Sequence, residues 1–302
     1  MPTVGARSAT SEARPETPSN GEVRTKTRSK VIEVPGYGGS TRREPLEMVI
    51  HGPAGAGKTT LATTLPGPAA WVLSEPGATL PILTQTGLGK IPRVVARNFY
   101  ELVNGIEKGH LKHGGIRAFI GALPESITWI VVDTLSSILV SQHAIHLQEA
   151  EEELEKKKAV AAKGREPGLD KFQVLDKDLN RARRLQTMLQ ESGRNILYLA
   201  HTNAIDTSRD IGAQSTTAGR PIIPGQFRPY MEAWASAVLY LKPDQDIIKD
   251  GKGRLKKVMV PVLPLEQTQL PMVKHKWGEK VEGAMKDPDL GELLGRVGEW
   301  PR

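Results

Sequence analysis

The segment HGPAGAGKTTLATTL, residues 51–65, constrains the fold of this chain more than any other stretch. It contains the pattern G-x-x-x-x-G-K-[ST], and it lies between an apolar stretch, LEMVI, and residues that favour a helix. Glycines at these positions let a loop curve tightly, so that successive backbone N–H groups can point at phosphate oxygens. The segment therefore predicts a strand, a phosphate-binding loop and a helix in succession. A glycine-rich turn with a purely structural role is the alternative.

The pattern also predicts a chemistry for individual residues of the loop. The Lys58 ammonium group would bridge the β- and γ-phosphates of a nucleoside triphosphate, and the Thr59 hydroxyl would be a ligand of Mg²⁺. The positive end of the dipole of the following helix adds to the attraction for phosphate. The residues predicted to surround the phosphates are Gly52, Pro53, Ala54, Gly55, Ala56, Gly57, Lys58, Thr59 and Thr60.

The composition limits the other kinds of site that the chain can carry. The 302 residues include no cysteine, which excludes disulfides, thiolate metal sites and cysteine nucleophiles. No apolar run reaches the roughly 18 residues that a membrane span needs, and the N-terminal stretch lacks the apolar core of a signal peptide. We therefore expect a cytoplasmic protein with no membrane partner. The net charge of +7 is compatible with a polyanionic partner but does not require one.

The first 44 residues differ in composition from the rest of the chain. They are rich in Ser, Thr, Pro, Gly and Arg and contain few apolar residues, so they cannot bury enough surface to offset the entropy of ordering. We predict a disordered basic arm, which is either a solubilising tail or a segment that binds nucleic acid or a partner. The cations that suggest the second role are Arg24, Lys26, Arg28 and Lys30.

From Leu46 onward, short apolar runs alternate with longer stretches that favour helices. The predicted strands are LEMVIHG, WVLSE, RVVARN, TWIVVD and NILYLAHTN, and the predicted helices are KTTLATTL, FYELVNGIEKGHL, TLSSILVSQHAIHLQEAEEELEKKK and DKFQVLDKDLNRARRLQTMLQES. Continuous apolar strands separated by helices indicate a mostly parallel sheet with helices on both faces, so the predicted fold class is α/β. In the last of these helices one apolar stripe is predicted, formed by Phe172, Leu175, Leu179, Ala182 and Leu189.

The pattern changes after residue 230. Two stretches typical of strands, AWASAVLYLKP and RLKKVMVPVLPL, stand on either side of a turn at KDGKGR. We predict that these C-terminal strands are antiparallel and extend the same sheet, and that a loop and a short helix follow them. The predicted domains are the arm at 1–44, a core at 45–265 and a C-terminal extension at 266–302.

Two acidic residues end predicted strands. Asp133 ends WIVVD and is predicted to hold Mg²⁺ beside the phosphates, a role compatible with capping the following helix. Glu75 ends WVLSE, and parallel strands would bring it to the same edge of the sheet as Lys58 and Asp133. A carboxylate in that place can act as general base for an attacking water. The alternative for Glu75 is a solvated loop residue.

A third predicted strand, NILYLA, is followed by the polar residues His201, Thr202 and Asn203. A side chain at this strand end can touch the γ-phosphate and report its hydrolysis to the loop beyond. We therefore predict a sensor role for His201, with a structural histidine as the alternative.

The order of these segments resembles the core of RecA-like P-loop ATPases. The segments that carry the resemblance are GPAGAGKTT, WVLSEPGATLP, TWIVVDTLSS and NILYLAHTN, and it covers roughly residues 45–265. The combination of AHTN with PIIPGQFRPYMEAW is similar, more narrowly, to phage RecA-like ATPases of annealing and recombination. The resemblance implies a RecA-like core that hydrolyses ATP with Mg²⁺ and self-associates as a ring or a filament. It also implies the cytoplasm of a bacterial host if the protein is phage-encoded.

The same resemblance implies that the protein binds single-stranded DNA, with a single-strand DNA-binding protein as a possible further partner. In that family the DNA-binding loops correspond to residues of about 150–170 and 204–228 here. Phe227 and Tyr230 are the aromatic residues there that could stack on bases. The residues implied to contact DNA or a neighbouring subunit's nucleotide are Arg209, Arg220, Arg228, Lys256 and Lys257. Strand-edge lysines that discourage aggregation are the alternative for Lys256 and Lys257.

Three other functions share the phosphate-binding loop. A helicase-type or loader ATPase that acts on a protein partner in DNA replication is the main alternative. A small-molecule kinase is disfavoured because no compact segment with clustered arginines, typical of a phosphate lid, stands near the loop. A GTPase is disfavoured because the guanine-reading pattern N-K-x-D is absent, since HTNAID has Ala204 in the lysine position.

Overall fold

The computed structural model describes residues 45–98, 101–102, 115–160, 171–202, 219–223, 227–249, 251, 254–267, 273–277, 281 and 283–298. Several predictions lie outside these residues. They concern the arm at 1–44, most of the helix predicted at 99–111, most of the loop at 204–228, and the residues Asn203 and Arg209.

Strands and helices alternate along the described chain. In order they are β1 (Glu47–Gly52), α1 (Lys58–Ala62), β2 (Ala69–Leu73), α2 (Pro76–Gln85), β3 (Arg93–Val95), α3 (Gly115–Gly121), β4 (Trp129–Asp133), α4 (Leu135–Val160), α5 (Lys171–Gln190), β5 (Asn195–His201), α6 (Phe227–Trp234), β6 (Ala237–Tyr240), β7 (Lys242–Lys249), β8 (Leu255–Pro264), β9 (Lys274–His275), β10 (Ala284–Lys286) and α7 (Leu290–Val297).

Seven of the described strands form one sheet in the order β3-β2-β4-β5-β1-β6-β9. All neighbours in this sheet are parallel except β6 and β9, which are antiparallel. Every residue of β1 and β4 is buried, as expected for central strands covered on both faces. The predicted α/β fold class, a mostly parallel sheet between helices with antiparallel C-terminal strands, is confirmed.

The two faces of the sheet support separate hydrophobic clusters. Ile130 and Val132 of β4 belong to a cluster that includes residues of α4, α5 and α6. Trp129 and Val131 face the opposite way and belong to a cluster that includes residues of α1, α2 and α7. Because side chains alternate across a strand, the continuous apolar run WIVV serves both clusters at once.

The apolar stripe predicted for α5 is wrong at one end. Phe172 is 76% exposed, and the buried positions near it are Val174 and Asp178. The stripe is continued by Ala182, Leu185 and Leu189. Phe172 is exposed because it lies on a different side of the helix from Val174, Asp178 and Ala182, since successive residues turn by about 100° around the helix axis.

The prediction that both C-terminal strands extend the main sheet is also wrong. Only β6 joins that sheet, beside β1, while β8 lies between β7 and β10 in a separate antiparallel sheet of three strands. The place next to β6 is taken by β9. In addition, consecutive residues at the start of β8, including Lys256 and Lys257, are exposed on both faces, which does not suit a sheet covered by helices.

The carboxyl ends of the central strands meet at one edge of the main sheet. Gly52 at the end of β1 pairs with His201 at the end of β5, and Asp133 at the end of β4 pairs with Leu73 of β2. None of the helices in the described part of the chain has the length and apolarity that a membrane crossing requires.

Close contact between β1 and the residue after β6 requires glycine at position 52. A Cβ atom there would lie 2.2 Å from the carbonyl oxygen of Leu241. The Leu241 backbone cannot move away easily, because its N–H donates to the carbonyl oxygen of His51 at 2.7 Å.

We therefore predict that Gly52→Ala lowers the free energy of unfolding by about 1–3 kcal/mol, the usual cost of overpacking. Urea denaturation followed by circular dichroism measures the change. Gly295→Ala is the matched control, because no atom lies within 4 Å of a Cβ at that position of α7. It should be neutral or stabilising by up to about 1 kcal/mol, since alanine favours helices over glycine. Equal stabilities of Gly52→Ala and the wild type would contradict the prediction.

Candidate functional site

A cleft of about 370 Å³ lies at the carboxyl edge of the main sheet. Its lining residues come from the loop after β1, the start of α1, the first half of α2 and the ends of β4 and β5. They are Ala54, Gly55, Gly57, Lys58, Thr59, Thr60, Glu75, Ala78, Thr79, Ile82, Asp133, Thr134 and His201. The predicted convergence of Lys58, Glu75 and Asp133 at one edge is therefore confirmed, while their chemical roles remain predictions.

The glycine-rich loop has the backbone shape that its sequence predicts. Gly55 and Gly57 have φ angles of 76° and 91°, in the left-handed region that glycine adopts without strain. Gly57 is the N-cap residue of α1 and has no side chain that could bond to the first N–H groups of the helix. The first N–H groups of α1 are therefore without a side-chain cap, and such groups at a helix N-terminus favour an anion.

The Lys58 side chain is folded onto the loop and is only 6% exposed. Its Nζ donates hydrogen bonds to the carbonyl oxygens of Gly52 at 2.9 Å and Pro53 at 2.8 Å. Burial lowers the pKa of Lys58 from 10.5 to about 8, although the charges of Asp133 and Glu75 oppose this shift. Burial therefore disfavours the charged form of Lys58, and an anion bound beside the ammonium group would favour it.

The Asp133 carboxylate lies at the floor of the cleft and is 2% exposed. Its Oδ2 accepts hydrogen bonds from Thr59 Oγ1 at 3.0 Å and Thr79 Oγ1 at 2.8 Å. Burial raises the pKa of Asp133, and the two threonine hydrogen bonds counteract the rise. The Asp133–Thr134 peptide bond is cis.

Thr59 and Asp133, the two predicted metal ligands, are thus adjacent. The described residues contain no group of three or more His, Asp or Glu side chains that could hold a metal by themselves. An ion at this place would need further oxygen ligands from phosphate and water, which is the manner in which Mg²⁺ usually binds. The two side chains therefore fit Mg²⁺ that arrives with a nucleotide, and do not fit a tightly held structural metal.

Glu75 lies opposite the loop, at the N-cap of α2. Its Oε1 accepts a short hydrogen bond from Ser137 Oγ of α4 and lies 3.5 Å from Nε2 of His201. The two side chains remain partly exposed to the cleft, at 42% for Glu75 and 28% for His201. Glu75 is therefore held in a fixed position with access to water in the cleft, as a general base requires.

The end of β5 forms hydrogen bonds to α4 and to β1. The backbone N–H of His201 donates to Ser136 Oγ of α4 at 2.9 Å. The next residue, Thr202, forms a hydrogen bond of 2.8 Å between its Oγ1 and Nδ1 of the buried His51. The end of β5 is therefore connected by hydrogen bonds to α4 and to β1.

Two residues that form hydrogen bonds to the predicted carboxylates of the cleft were not predicted. Thr79 bonds to Asp133 from α2, and Ser137 bonds to Glu75 from α4. Each lies four residues after a predicted site residue, since Thr79 follows Glu75 and Ser137 follows Asp133 in the chain. A helix that starts at a strand end returns such a residue to the same cleft after one turn, and this spacing could have identified both.

Among the described residues, those implied to bind DNA or a neighbouring subunit, Arg220, Arg228, Lys256 and Lys257, do not line the cleft, and Arg209 lies outside the described part of the chain. The Nε of Arg228 is 3.9 Å from Oε1 of Glu232. Burial raises the pKa of Glu232, and the charges of Arg220 and Arg228 lower it, so both arginines face this carboxylate. Lys256 and Lys257 lie exposed on β8.

Of the two predicted stacking residues, Phe227 is buried and Tyr230 is partly buried. Phe227 is 3% exposed within the core, so its ring is not available to a base, and the suggestion that it stacks is wrong. Tyr230 is partly buried and lies under the guanidinium of Arg183, 4.5 Å from the ring centroid. The sequence did not predict this burial because both residues follow a stretch that is typical of a loop.

No protein-family model matches the sequence. No curated protein matches it either. Among solved structures, the crystal structure of the RadB recombinase is similar over 80% of this chain and 86% of that chain, with 15% sequence identity and a TM-score of 0.38.

Proposed function

We propose that this protein is a RecA-like, Mg²⁺-dependent ATPase that binds single-stranded DNA and acts in recombination, annealing or repair. The observation that carries the proposal is the meeting of Lys58, Thr59, Asp133, Glu75 and His201 at one cleft of about 370 Å³. A cation, hydroxyl and carboxylate ligands for Mg²⁺, a partly exposed carboxylate and a polar strand end are the groups that hydrolysis of a nucleoside triphosphate requires.

Each group has a defined task in this proposal. The Lys58 ammonium and the N–H groups at the start of α1 bind the β- and γ-phosphates. Thr59 and Asp133 hold Mg²⁺, which neutralises phosphate charge when it is bound. Glu75 accepts a proton from the water whose oxygen attacks the γ-phosphorus, while the bond to the β–γ bridging oxygen breaks and ADP and phosphate leave.

The connection from the cleft to DNA is proposed to run through two elements. Ser136 and Ser137, in the first turn of α4, bond to the backbone of His201 and to the carboxylate of Glu75. Loss of the γ-phosphate would therefore act on the start of α4 and on the end of β5 together. The segments beyond these elements correspond, by resemblance, to the DNA-binding loops of RecA-like ATPases.

Partners and further contacts rest on the same resemblance. We propose self-association as a ring or a filament, a single-strand DNA-binding protein as a further partner, and the cytoplasm as the location, which is that of a bacterial host if the protein is phage-encoded. The side chains proposed to contact DNA or a neighbouring subunit's nucleotide are Arg209, Arg220, Arg228, Lys256 and Lys257.

The test is the rate of phosphate release from ATP with and without single-stranded DNA. We expect hydrolysis that requires Mg²⁺ and rises when DNA is added. Binding to a labelled oligonucleotide should require nucleotide and weaken steeply with salt, because bound cations on the protein displace counterions from the phosphates. Hydrolysis without any nucleotide-dependent DNA binding would favour the loader-type ATPase that acts on a protein partner.

The lowered pKa of Lys58 predicts how ATP binding depends on pH. A bound triphosphate adds negative charge beside Lys58 and raises its pKa again, so binding takes up a proton above pH 8. The ATP association constant should therefore be steady from pH 7 to about 8 and then fall by up to about tenfold per pH unit. Fluorescence titration with a labelled ATP measures this dependence.

Lys58→Arg is the control, because a guanidinium group stays protonated throughout this range. Its affinity should not fall above pH 8. Unfolding does not explain such a fall. Lys58 has a pKa of 10.5 in the unfolded chain and about 8 in the folded chain, so the unfolded chain holds the proton more tightly. The contribution of this group to the free energy of unfolding therefore increases as the pH rises above about 8. A wild-type affinity that stays constant to pH 10 would contradict the assigned role of the charge.

A further inference from the structure

Four charged residues, Arg220, Arg228, Lys274 and Glu232, lie near one another, and we call them the basic cluster. None of them lines the phosphate cleft. Arg228 and Glu232 stand one turn apart on α6, and the Nζ of Lys274, in β9, donates a hydrogen bond to the backbone carbonyl oxygen of Glu232 at 2.8 Å. Three cations thus share one carboxylate, so the cluster has an excess of positive charge and attracts anions.

The contacts inside the basic cluster are incomplete. The Nε of Arg228 lies 3.9 Å from Oε1 of Glu232, which is beyond the distance of about 2.7–3.2 Å that a hydrogen bond requires. Both atoms are buried, as is the Nε of Arg220, and none of the three has a hydrogen-bond partner among the described residues. Because buried polar atoms are nearly always hydrogen-bonded, three unpaired ones in this cluster indicate that a group able to bond to them is missing.

A phosphate group suits the two arginines better than Glu232 does. A guanidinium group can bind a phosphate through two parallel hydrogen bonds, which are stronger than bonds between neutral groups. Glu232 is attached to the same helix as Arg228, and in this position its carboxylate does not come within hydrogen-bond distance of the Arg228 Nε. The side chains of Arg228 and Glu232 are 20% and 16% exposed, so an anion can reach them from solvent.

The basic cluster is connected to the phosphate cleft through the end of β5. Arg220 belongs to the short described segment 219–223, in which the N–H of Ile222 donates to the carbonyl oxygen of His201 at 2.7 Å. Pro221, the residue after Arg220, pairs with Thr202. A displacement of His201 would therefore move the backbone that carries Arg220.

We propose that Glu232 occupies a phosphate-binding site formed by Arg220, Arg228 and Lys274, and keeps it closed until a phosphate of the bound DNA strand displaces its carboxylate. The inference rests on the proposed function, which makes a phosphodiester backbone the partner. On displacement the two guanidinium groups donate to the phosphate oxygens and the Glu232 carboxylate turns to water. Glu232 thus lowers the affinity for DNA and limits the binding of other anions.

Glu232→Gln tests the proposal, because glutamine keeps the size of the side chain and removes its charge. Fluorescence anisotropy with a labelled single-stranded oligonucleotide, a non-hydrolysable ATP analogue and Mg²⁺ should show binding about fivefold tighter than in the wild type, the upper end for a partly exposed ion pair. Glu292→Gln is the matched control, since Glu292 forms a pair of the same spacing with Arg296 on α7, outside the basic cluster. It should bind as the wild type does.

The gain in affinity should depend on the two arginines. In a variant that carries Arg220→Gln and Arg228→Gln, the further change Glu232→Gln should alter the oligonucleotide affinity by less than about twofold, because residues that act together are not additive. A fivefold gain in that variant as well would show that Glu232 only repels DNA at a distance, and the proposal would be wrong.

Inorganic tripolyphosphate tests the site without DNA. It is titrated into Lys58→Ala, in which the phosphate cleft has lost its lysine, and into the same variant with Glu232→Gln added. Calorimetry should show that the added change tightens tripolyphosphate binding, again by about fivefold. Equal affinities of the two variants would mean that Glu232 occupies no phosphate site.

The two probes distinguish this proposal from the proposed function. If Glu232→Gln tightened the binding of tripolyphosphate but not of the oligonucleotide, the phosphate would come from another source, such as a nucleotide, and the assignment to the DNA strand would be overturned. If the wild type bound no oligonucleotide under any condition, the proposed function would fail, and the tripolyphosphate titration would still decide whether Glu232 occupies a phosphate site.

Discussion

Lys58→Ala is expected to reduce the rate of ATP hydrolysis by about 100-fold or more, the loss typical of removing one buried group that stabilises transition-state charge. Lys58 is the one lysine that lines the phosphate cleft among the described residues. Its Nζ already bonds to the carbonyl oxygens of Gly52 and Pro53, so the ammonium group is fixed at the loop before a ligand arrives. An alanine leaves this position empty, and no other side chain can replace the charge.

Phosphate release under saturating ATP and Mg²⁺ measures the effect on kcat, and titration with labelled ATP measures binding. Lys90→Ala is the matched control, because Lys90 is exposed and does not line the phosphate cleft. It should hydrolyse ATP at the wild-type rate. A Lys58→Ala variant that hydrolyses ATP normally would remove the basis for the phosphate site. The stability of Lys58→Ala should not fall, since the change relieves the burial of a charge that lowers the Lys58 pKa to about 8.

The sequence predicted which residues meet at the carboxyl edge of the sheet, because each of them follows a local sequence pattern. Lys58 follows a glycine pattern, and Glu75, Asp133 and His201 each follow an apolar run that is long enough for one buried strand. In a parallel sheet the ends of such runs meet at one edge whatever the order of the strands. The convergence could therefore be predicted without knowing that β5 lies between β1 and β4.

The contacts that orient these side chains depend on distant packing, and the sequence did not reveal them. Thr79 and Ser137 reach Asp133 and Glu75 only because α2 and α4 begin at adjacent strand ends. The pairing of β8 with β7 was not predicted either, because the stretch RLKKVMVPVLPL was expected to extend the main sheet. Because β9 pairs with β6, the β7–β8 hairpin lies over Gly57 instead of extending the main sheet. Which strand pairs with the edge of the sheet depends on residues far apart in the chain, so no short sequence pattern predicts it.

Glu75→Gln is expected to lower kcat for ATP hydrolysis by about 100-fold to 10,000-fold, the contribution usual for a general base. Glutamine keeps the shape of the side chain and can still accept the hydrogen bond from Ser137. It cannot take a proton from the attacking water. Affinity for ATP should be unchanged or higher, because the substitution removes a negative charge beside the triphosphate. Quenched-flow measurement of phosphate formation, with binding measured separately, distinguishes the two effects.

Ser137→Ala is the matched variant, because it removes the hydrogen-bond donor and leaves the carboxylate in place. Its loss of rate should be much smaller, about tenfold, since a misplaced base still accepts protons. If Glu75→Gln hydrolysed ATP within threefold of the wild type, Glu75 would be a solvated loop residue and the base would have to be sought elsewhere.

A second measurement on Glu75→Gln separates a charge effect from a purely structural one. The negative charge of Glu75 raises the pKa of Lys58 and thereby opposes the effect of burial. Removing that charge should lower the Lys58 pKa below about 8, so the decline of ATP affinity with pH should begin at a lower pH than in the wild type. Ser137→Ala keeps the charge and should leave the onset of the decline where it is. A Glu75→Gln variant with slow hydrolysis but an unshifted pH profile would mean that the carboxylate acts too far from Lys58 to belong to the same phosphate site.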